Sequence, residues 1–206
     1  MSVEKIWITP DAEKVVMYCA RVSSSNQESS NTKLLDYCVK HGHWSVFEMA
    51  SFCAEIKTSR AISAQILRHR SFSFQEFSQR YAEVVESPII YEARSQDAKN
   101  RQNSIDNMSE EDRKWFEEAQ ESVSDLSLAL YQESLDRGVA KEQARFLLPL
   151  SAPTRLYMTG SLRSWLHYLK VRLGNGTQKE HVDIAEGVLK LLKQECPIIV
   201  EAFLKS

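Results

Sequence analysis

The residues best equipped for chemistry lie close together. Between Gln65 and Tyr81, 17 positions hold three arginines, one histidine, one glutamate and four aromatics. Arginine grips phosphate bidentately, serine hydroxyls complete such a site, and aromatic planes stack on flat heterocycles. The segment therefore suits a nucleotide-like anion. A charged helix end followed by an amphipathic loop would have the same composition, and the residues alone leave both open. A second basic set follows at Arg145, Arg155, Arg163 and Arg172. Arg163 and His167 stand four apart on one expected helix and share a face. Arg172 falls in that helix's last turn, where a cation also suits the helix dipole.

Other chemistries find weaker support. His41, His43 and Glu48 lack the H-E-x-x-H spacing and an obvious third ligand, so a zinc hydrolase is a minor alternative. Gly174-Asn175-Gly176 follows a helix rather than a strand and lacks a third glycine, which argues against a Rossmann or P-loop cradle. There is no G-x-S-x-G elbow, and no cysteine in the Arg-rich segment to act as nucleophile.

The elements that must position these groups read as follows. Lys5–Thr9 is a short strand, with a helix starting at Thr9-Pro10-Asp11. A Ser-rich loop spans Ser23 to Asn31, and a short helix covers Leu34–Val39. Met49–Lys57 is a strand, with Ala50, Phe52, Ala54 and Ile56 on one face and Ser51, Cys53 and Glu55 on the other. Ser59 caps a helix predicted to reach His69. Ser87 to Asn107 is irregular. Ser109 and the acids after it open a long helix that stops at Gly138. Lys141–Leu148 is a short helix ended by Pro149, and Thr154–Thr159 a strand. Leu162–Leu173 and Gln178–Glu195 are helices, the second halted by Pro197. Several helices and about four strands without regular alternation indicate an α+β fold rather than a doubly wound sheet.

With 206 residues, 43% of them apolar, one domain with a sizeable core is expected. The formal net charge is −2, so no global basic field draws the chain to nucleic acid or anionic lipid. A noncatalytic nucleotide- or RNA-binding protein using the Arg/aromatic segment is a further alternative, which this charge disfavours. The four cysteines are scattered without a CxxC pair and read as buried, reduced thiols. No signal peptide or transmembrane run is evident, and a cytoplasmic protein is expected.

Arg68-His69-Arg70, seven residues, then Ser78-Gln79-Arg80-Tyr81 resembles the signature of the flavin-dependent thymidylate synthases, the ThyX family. Three more segments are similar to that family and stand in the same order: Gly42-His43-Trp44-Ser45-Val46-Phe47-Glu48, Ala144-Arg145-Phe146-Leu147-Leu148-Pro149, and Ser161-Leu162-Arg163 through His167 to Arg172. The resemblance implies a single α+β domain over residues 1–206, with helices around an antiparallel sheet, assembled as a homotetramer with active sites shared between chains. It implies reductive methylation of dUMP to dTMP, in de novo dTMP synthesis, with FAD as cofactor, NADPH as reductant and 5,10-methylenetetrahydrofolate as carbon donor.

Carried over by position, Ser45, Arg68, His69, Arg70, Glu76, Ser161, Leu162, Arg163 and His167 would hold FAD. Gln65, Ile66, Leu67, Arg68, Glu76, Phe77, Ser78, Gln79, Arg80, Arg145 and Arg172 would hold dUMP, and His43 would lie on the folate side. Arg172 would activate the uracil ring without a cysteine nucleophile, and no metal is implied. Trp44, Gly176, Thr177 and His181 depart from the residues common at those places in the family.

Overall fold

A computed structural model describes residues 1–206. The elements in chain order are β1 (Ser2–Ile8), α1 (Ala12–Ala20), α2 (Lys33–Lys40), β2 (Ser51–Ser59), α3 (Arg60–Ile66), β3 (Ser73–Glu76), β4 (Ser95–Gln96), β5 (Ser104–Ile105), α4 (Glu110–Asp136), α5 (Lys141–Ala144), β6 (Pro153–Ser161), α6 (Leu162–Arg172), α7 (Lys179–Glu195) and α8 (Pro197–Leu204). Short 3-10 turns cover Trp44–Met49 and Arg145–Leu147.

Four strands form a sheet in the order β1-β2-β6-β3, and β4 and β5 pair separately as an antiparallel ribbon. Backbone bonds give the sense of the sheet. Thr9 N–H reaches the Ser51 carbonyl, Leu162 N–H that of Ala50, Arg60 N–H that of Ala152, and Phe77 N–H that of Arg155. Each joins the end of one strand to the start of its neighbour, so all three pairings are antiparallel. The α+β expectation holds.

The chain divides into two compact units. Unit 1 comprises residues 1–56, 69–75 and 157–206, and unit 2 comprises 57–68 and 76–156. In unit 1 the core gathers Phe52, Met158, Trp165, Tyr168, Leu169, Ile184, Val188 and Val200, all fully or almost fully buried. The Trp165 indole N–H donates to the Phe52 carbonyl at 2.9 Å, and the two rings meet edge-on at 5.2 Å. In unit 2 a smaller core joins Val84, Tyr131 and Ala144, with Phe77, Leu135 and Leu148 packed against it. The Tyr131 hydroxyl accepts the Val84 N–H there at 3.2 Å.

Local chemistry explains the main elements. Ser109 Oγ accepts the Asp112 N–H at 3.1 Å and caps α4, whose first turn carries Glu110, Glu111 and Asp112. Gly138, at φ 81°, takes the left-handed turn just past its end. Ser161 Oγ accepts the Ser164 N–H at 3.2 Å and caps α6.

Some expectations need correction. Both faces of β2 are covered, because Cys53 and Glu55 are buried as well as Phe52, Ala54 and Ile56. α3 ends at Ile66, short of His69, and Ser59 makes no side-chain cap bond, its Oγ instead accepting the Tyr91 hydroxyl at 2.6 Å. Strand β3 lies where a loop was expected, inside the Arg-rich segment. α5 is one turn of α-helix continued by a 3-10 turn. Pro197 begins α8 rather than only ending α7. All four cysteines are unbridged, but Cys19 is only half-buried. Burial pushes the Cys196 thiol up to about 12, helped by nearby Glu13 and Glu195. No helix is long and apolar enough to cross a membrane.

Candidate active site

Unit 1 contains a cavity of about 460 Å³. Trp44, Leu166 and Phe203 supply apolar walls, Ser71 and Ser164 hydroxyls, and Arg163, His167 and Lys170 one basic side. The last three stand at spacings of four and three along α6 and so share a face. Glu48 closes the rim, its Oε1 receiving Arg163 Nη1 at 3.0 Å. Ser164 Oγ donates to the Ser71 carbonyl at 3.2 Å, fixing one wall. A flat aromatic system with phosphate charge matches this lining: apolar faces for the ring, clustered basic groups for the oxygens.

Beyond that cavity unit 1 holds a partly buried aromatic and basic cluster, with Tyr168 and His181 buried and His69, Phe72 and Arg172 half-buried. Arg172 Nε donates to His69 Nε2 at 2.8 Å. Phe72, Tyr168 and His181 stand edge-on round the His69 ring at 6.3, 5.0 and 6.2 Å. Burial, then the Arg172 and His167 charges, push His69 down to about 4. The ring is thus neutral near pH 7, as an acceptor at Nε2 requires. Burial and Arg172 likewise push His181 down to about 3, with His69 contributing. Burial pushes the Tyr168 phenol up, and its hydroxyl is enclosed without a hydrogen-bond partner.

Unit 2 holds most of the expected nucleotide residues. Glu76 Oε1 receives three donors: Ser63 Oγ at 2.6 Å, Arg60 Nη1 at 2.7 Å and Thr154 Oγ1 at 3.0 Å. Arg80 Nε and Nη2 both reach Glu142 Oε2, at 3.2 and 3.1 Å. Arg145 Nε donates to the Glu142 carbonyl at 3.2 Å, and its guanidinium lies over the Phe146 ring, 5.5 Å from the centroid. Glu142 therefore ties together two of the arginines expected to hold dUMP. Ser78 Oγ accepts the Arg80 N–H at 3.4 Å. Gln79 is 7% exposed, and its Nε2 has no acceptor. A buried donor left open in this way is costly unless a ligand meets it.

The expected site residues thus distribute by unit. His43, Ser45, His69, Arg70, Ser161, Leu162, Arg163, His167 and Arg172 lie in unit 1. Gln65, Ile66, Leu67, Arg68, Glu76, Phe77, Ser78, Gln79, Arg80 and Arg145 lie in unit 2. Arg163 and His167 line the cavity. Ser161 serves as the α6 cap, and the Leu162 and Ile66 side chains pack in the interior. His43 sits edge-on to Tyr37 at 5.5 Å, with His41 6.3 Å away. Glu48, weighed with them as a metal ligand, instead meets Arg163.

Sequence reasoning did not foresee Lys170, Phe203, Arg60, Ser63, Thr154, Tyr168 or His181 as parts of these arrangements. Lys170 was within reach, since it continues the helical spacing of Arg163 and His167.

Comparison with known proteins shows which family the chain resembles. Residues 6–198 match the family described as thymidylate synthase complementing protein. A flavin-dependent thymidylate synthase from Synechocystis is 55% identical over 191 residues, covering 92% of this chain and 88% of that one. A probable flavin-dependent thymidylate synthase from Paramecium bursaria Chlorella virus 1 is 50% identical over 194 residues, covering 93% and 90%. Among solved structures, a UMP/dUMP methylase, PolB from Streptomyces cacaoi, bound with 5-Br UMP, superposes with a TM-score of 0.90 at 26% identity, covering 99% of this chain and 94% of that chain. With the family's motifs in order along the chain and the match spanning nearly all of it, this chain belongs to the flavin-dependent thymidylate synthases.

Proposed function

We propose that residues 1–206 act as one flavin-dependent thymidylate synthase domain, methylating dUMP to dTMP in de novo nucleotide synthesis. FAD is the flavin, NADPH the reductant and 5,10-methylenetetrahydrofolate the carbon donor. The observation that carries this proposal is the bond from Arg172 to His69, which orients a guanidinium that has a neutral ring behind it.

Each part of the chain has a chemical task in this scheme. The unit 1 cavity fits FAD: Trp44, Leu166 and Phe203 suit its flat rings, and Arg163, His167 and Lys170 suit its phosphates. Ser45, Arg68, His69, Arg70 and Glu76 are assigned to the same cofactor. In unit 2, Arg80 and Arg145 take the dUMP phosphate, and Gln79 Nε2 offers its buried N–H to a substrate oxygen. Glu76, held through one oxygen, accepts from a substrate N–H or O–H, and Gln65, Arg68 and Ser78 complete the nucleotide contacts. Arg172 stabilises the negative charge that develops as the uracil ring accepts electrons, which makes C5 nucleophilic without a thiolate. Bound flavin supplies the hydride that completes the methyl group. His43 lies on the folate side.

The chain acts as a homotetramer with shared active sites. An exposed apolar stripe along α4 supports assembly: Trp115, Val123, Leu126 and Leu130 face outward, Trp115 at 66% and Leu126 at 62% exposure. Four unbridged cysteines fit a reducing, cytoplasmic setting.

The decisive experiment is the visible spectrum of the purified protein, titrated with dUMP and followed by a dTMP assay with NADPH and methylenetetrahydrofolate. A flavin spectrum that shifts with dUMP, with turnover lost in Arg172→Ala at unchanged flavin content, is expected. A colourless protein that cannot be reconstituted with FAD, or full turnover in Arg172→Ala, overturns the proposal.

A further inference from the structure

His181 occupies a place that packing alone does not explain. It lies on the inward face of α7 with Ile184, Ala185, Val188 and Leu192, and none of its surface is exposed. An aliphatic side chain would continue that stripe. Instead an imidazole stands edge-on to His69 at 84° and tilted against Tyr168 at 5.7 Å. Three rings from three segments pack edge-on around the half-buried His69: Phe72 before β3, Tyr168 on α6 and His181 on α7. His69 then has little freedom to turn, and its Nε2 points at Arg172 Nε.

We propose that His181 is a positioning residue of the reaction centre: its buried ring fixes the His69 imidazole, whose Nε2 receives the Arg172 N–H, and so sets the direction of that guanidinium. The inference builds on the reading of Arg172 as the group that activates uracil. His181 also stays neutral at working pH, so it places no second cation behind Arg172. A lysine or arginine there would push the guanidinium away by like-charge repulsion. The titratable and charged groups that bear on His69 are Arg172, His167 and Tyr168 from α6, His181 from α7, and its chain neighbours Arg68 and Arg70. Loss of the His181 ring opens the cage to water, relieving the burial that now keeps the proton off His69.

The test compares His181→Ala with His181→Phe in the FAD-loaded protein. Histidine-selective NMR follows His69 directly, and only five histidines need assigning. Between about pH 5 and 8 the wild-type His69 ring stays in one neutral tautomer. In His181→Ala it takes up a proton within that range, and kcat falls about tenfold at unchanged flavin content. His181→Phe keeps a ring in place and leaves both readouts near wild type. If His181→Ala does not fold, His181→Ser also removes the ring and opens the same space, and it is expected to show the same His69 titration and loss of kcat.

Two results overturn the proposal: an alanine or serine variant with wild-type His69 titration and kcat but a lower Tm, or a phenylalanine variant as impaired as alanine. Arg172→Lys separates the two levels. If it turns over like wild type, the uracil-activation reading fails, whereas the His69 titration still reports whether His181 holds the ring.

Discussion

Arg60 and Glu76 meet at 2.7 Å, Nη1 to Oε1, and the same carboxylate oxygen takes the hydroxyls of Ser63 and Thr154. Three donors converging on one oxygen fix the carboxylate's rotation, so the direction of Oε2 is set before any ligand arrives.

Glu76→Gln tests this arrangement. A glutamine can present its carbonyl oxygen to Arg60, Ser63 and Thr154 but must then put an NH₂ where Oε2 stands. The fold is expected to survive, while dUMP affinity falls by about 1.5–3 kcal/mol, roughly ten- to hundredfold. Calorimetric titration of dUMP into the flavin-loaded variant measures it, and unchanged affinity would remove Glu76 from the nucleotide contacts.

The two depressed histidines make stability fall in acid. His69 and His181 sit near 4 and 3 in the folded chain against 6.5 when unfolded. From 6.5 downward the unfolded chain takes up protons that the folded chain refuses. Their contribution to stability is therefore complete above about 6.5 and is lost progressively as pH falls toward 4 and 3. Urea midpoints measured across that window are expected to drop less steeply in His181→Phe, which removes one of the two groups. An identical slope would mean His181 is not held neutral.

Gly160 has no room for a side chain. An added Cβ would stand 2.7 and 2.9 Å from Phe72 Cδ1 and Cε1. The Phe72 ring is itself packed edge-on against Trp165 at 4.8 Å. Gly160→Ala is expected to destabilise the protein by about 1–3 kcal/mol, each kcal/mol lowering Tm by roughly 2–4 °C. Adding Phe72→Leu should restore most of the loss, and calorimetry of the single and double variants reads the coupling.

The α4 stripe predicts its own variant. Leu126→Glu places a charge in the middle of the apolar row without touching Ser124, Ser127 or Tyr131, the buried residues of that helix. Sedimentation is expected to show smaller species, with the secondary structure by circular dichroism unchanged. An assembly identical to wild type would show that this face is not an interface.

Much of the scaffold was legible because its signals are local. Ser109, the acids after it and Gly138 mark both ends of α4, and Ser161 marks the start of α6. Strand β3 escaped because its inward positions are Phe74 and Glu76, and a carboxylate breaks the apolar alternation that identifies a strand. The compensation for that inward charge comes from Arg60, Ser63 and Thr154, the last far along the chain. α8 escaped because Pro197 carries two meanings, a stop for one helix and a first residue for the next. Motifs mark candidate site positions in the sequence, as at Arg68-His69-Arg70. His181 behind His69 and Phe203 in the cavity wall depend on tertiary packing, which no short spacing reveals.

The interleaving of the two units has a consequence for heredity. Unit boundaries fall between Arg68 and His69 and between Gln75 and Glu76, inside the Arg-rich segment itself. Neither unit is one continuous stretch of chain, so no single gene break can release either of them, and no simple duplication or fusion can pass one to another protein. The unit 1 cavity and the arginines of unit 2 then pass on together.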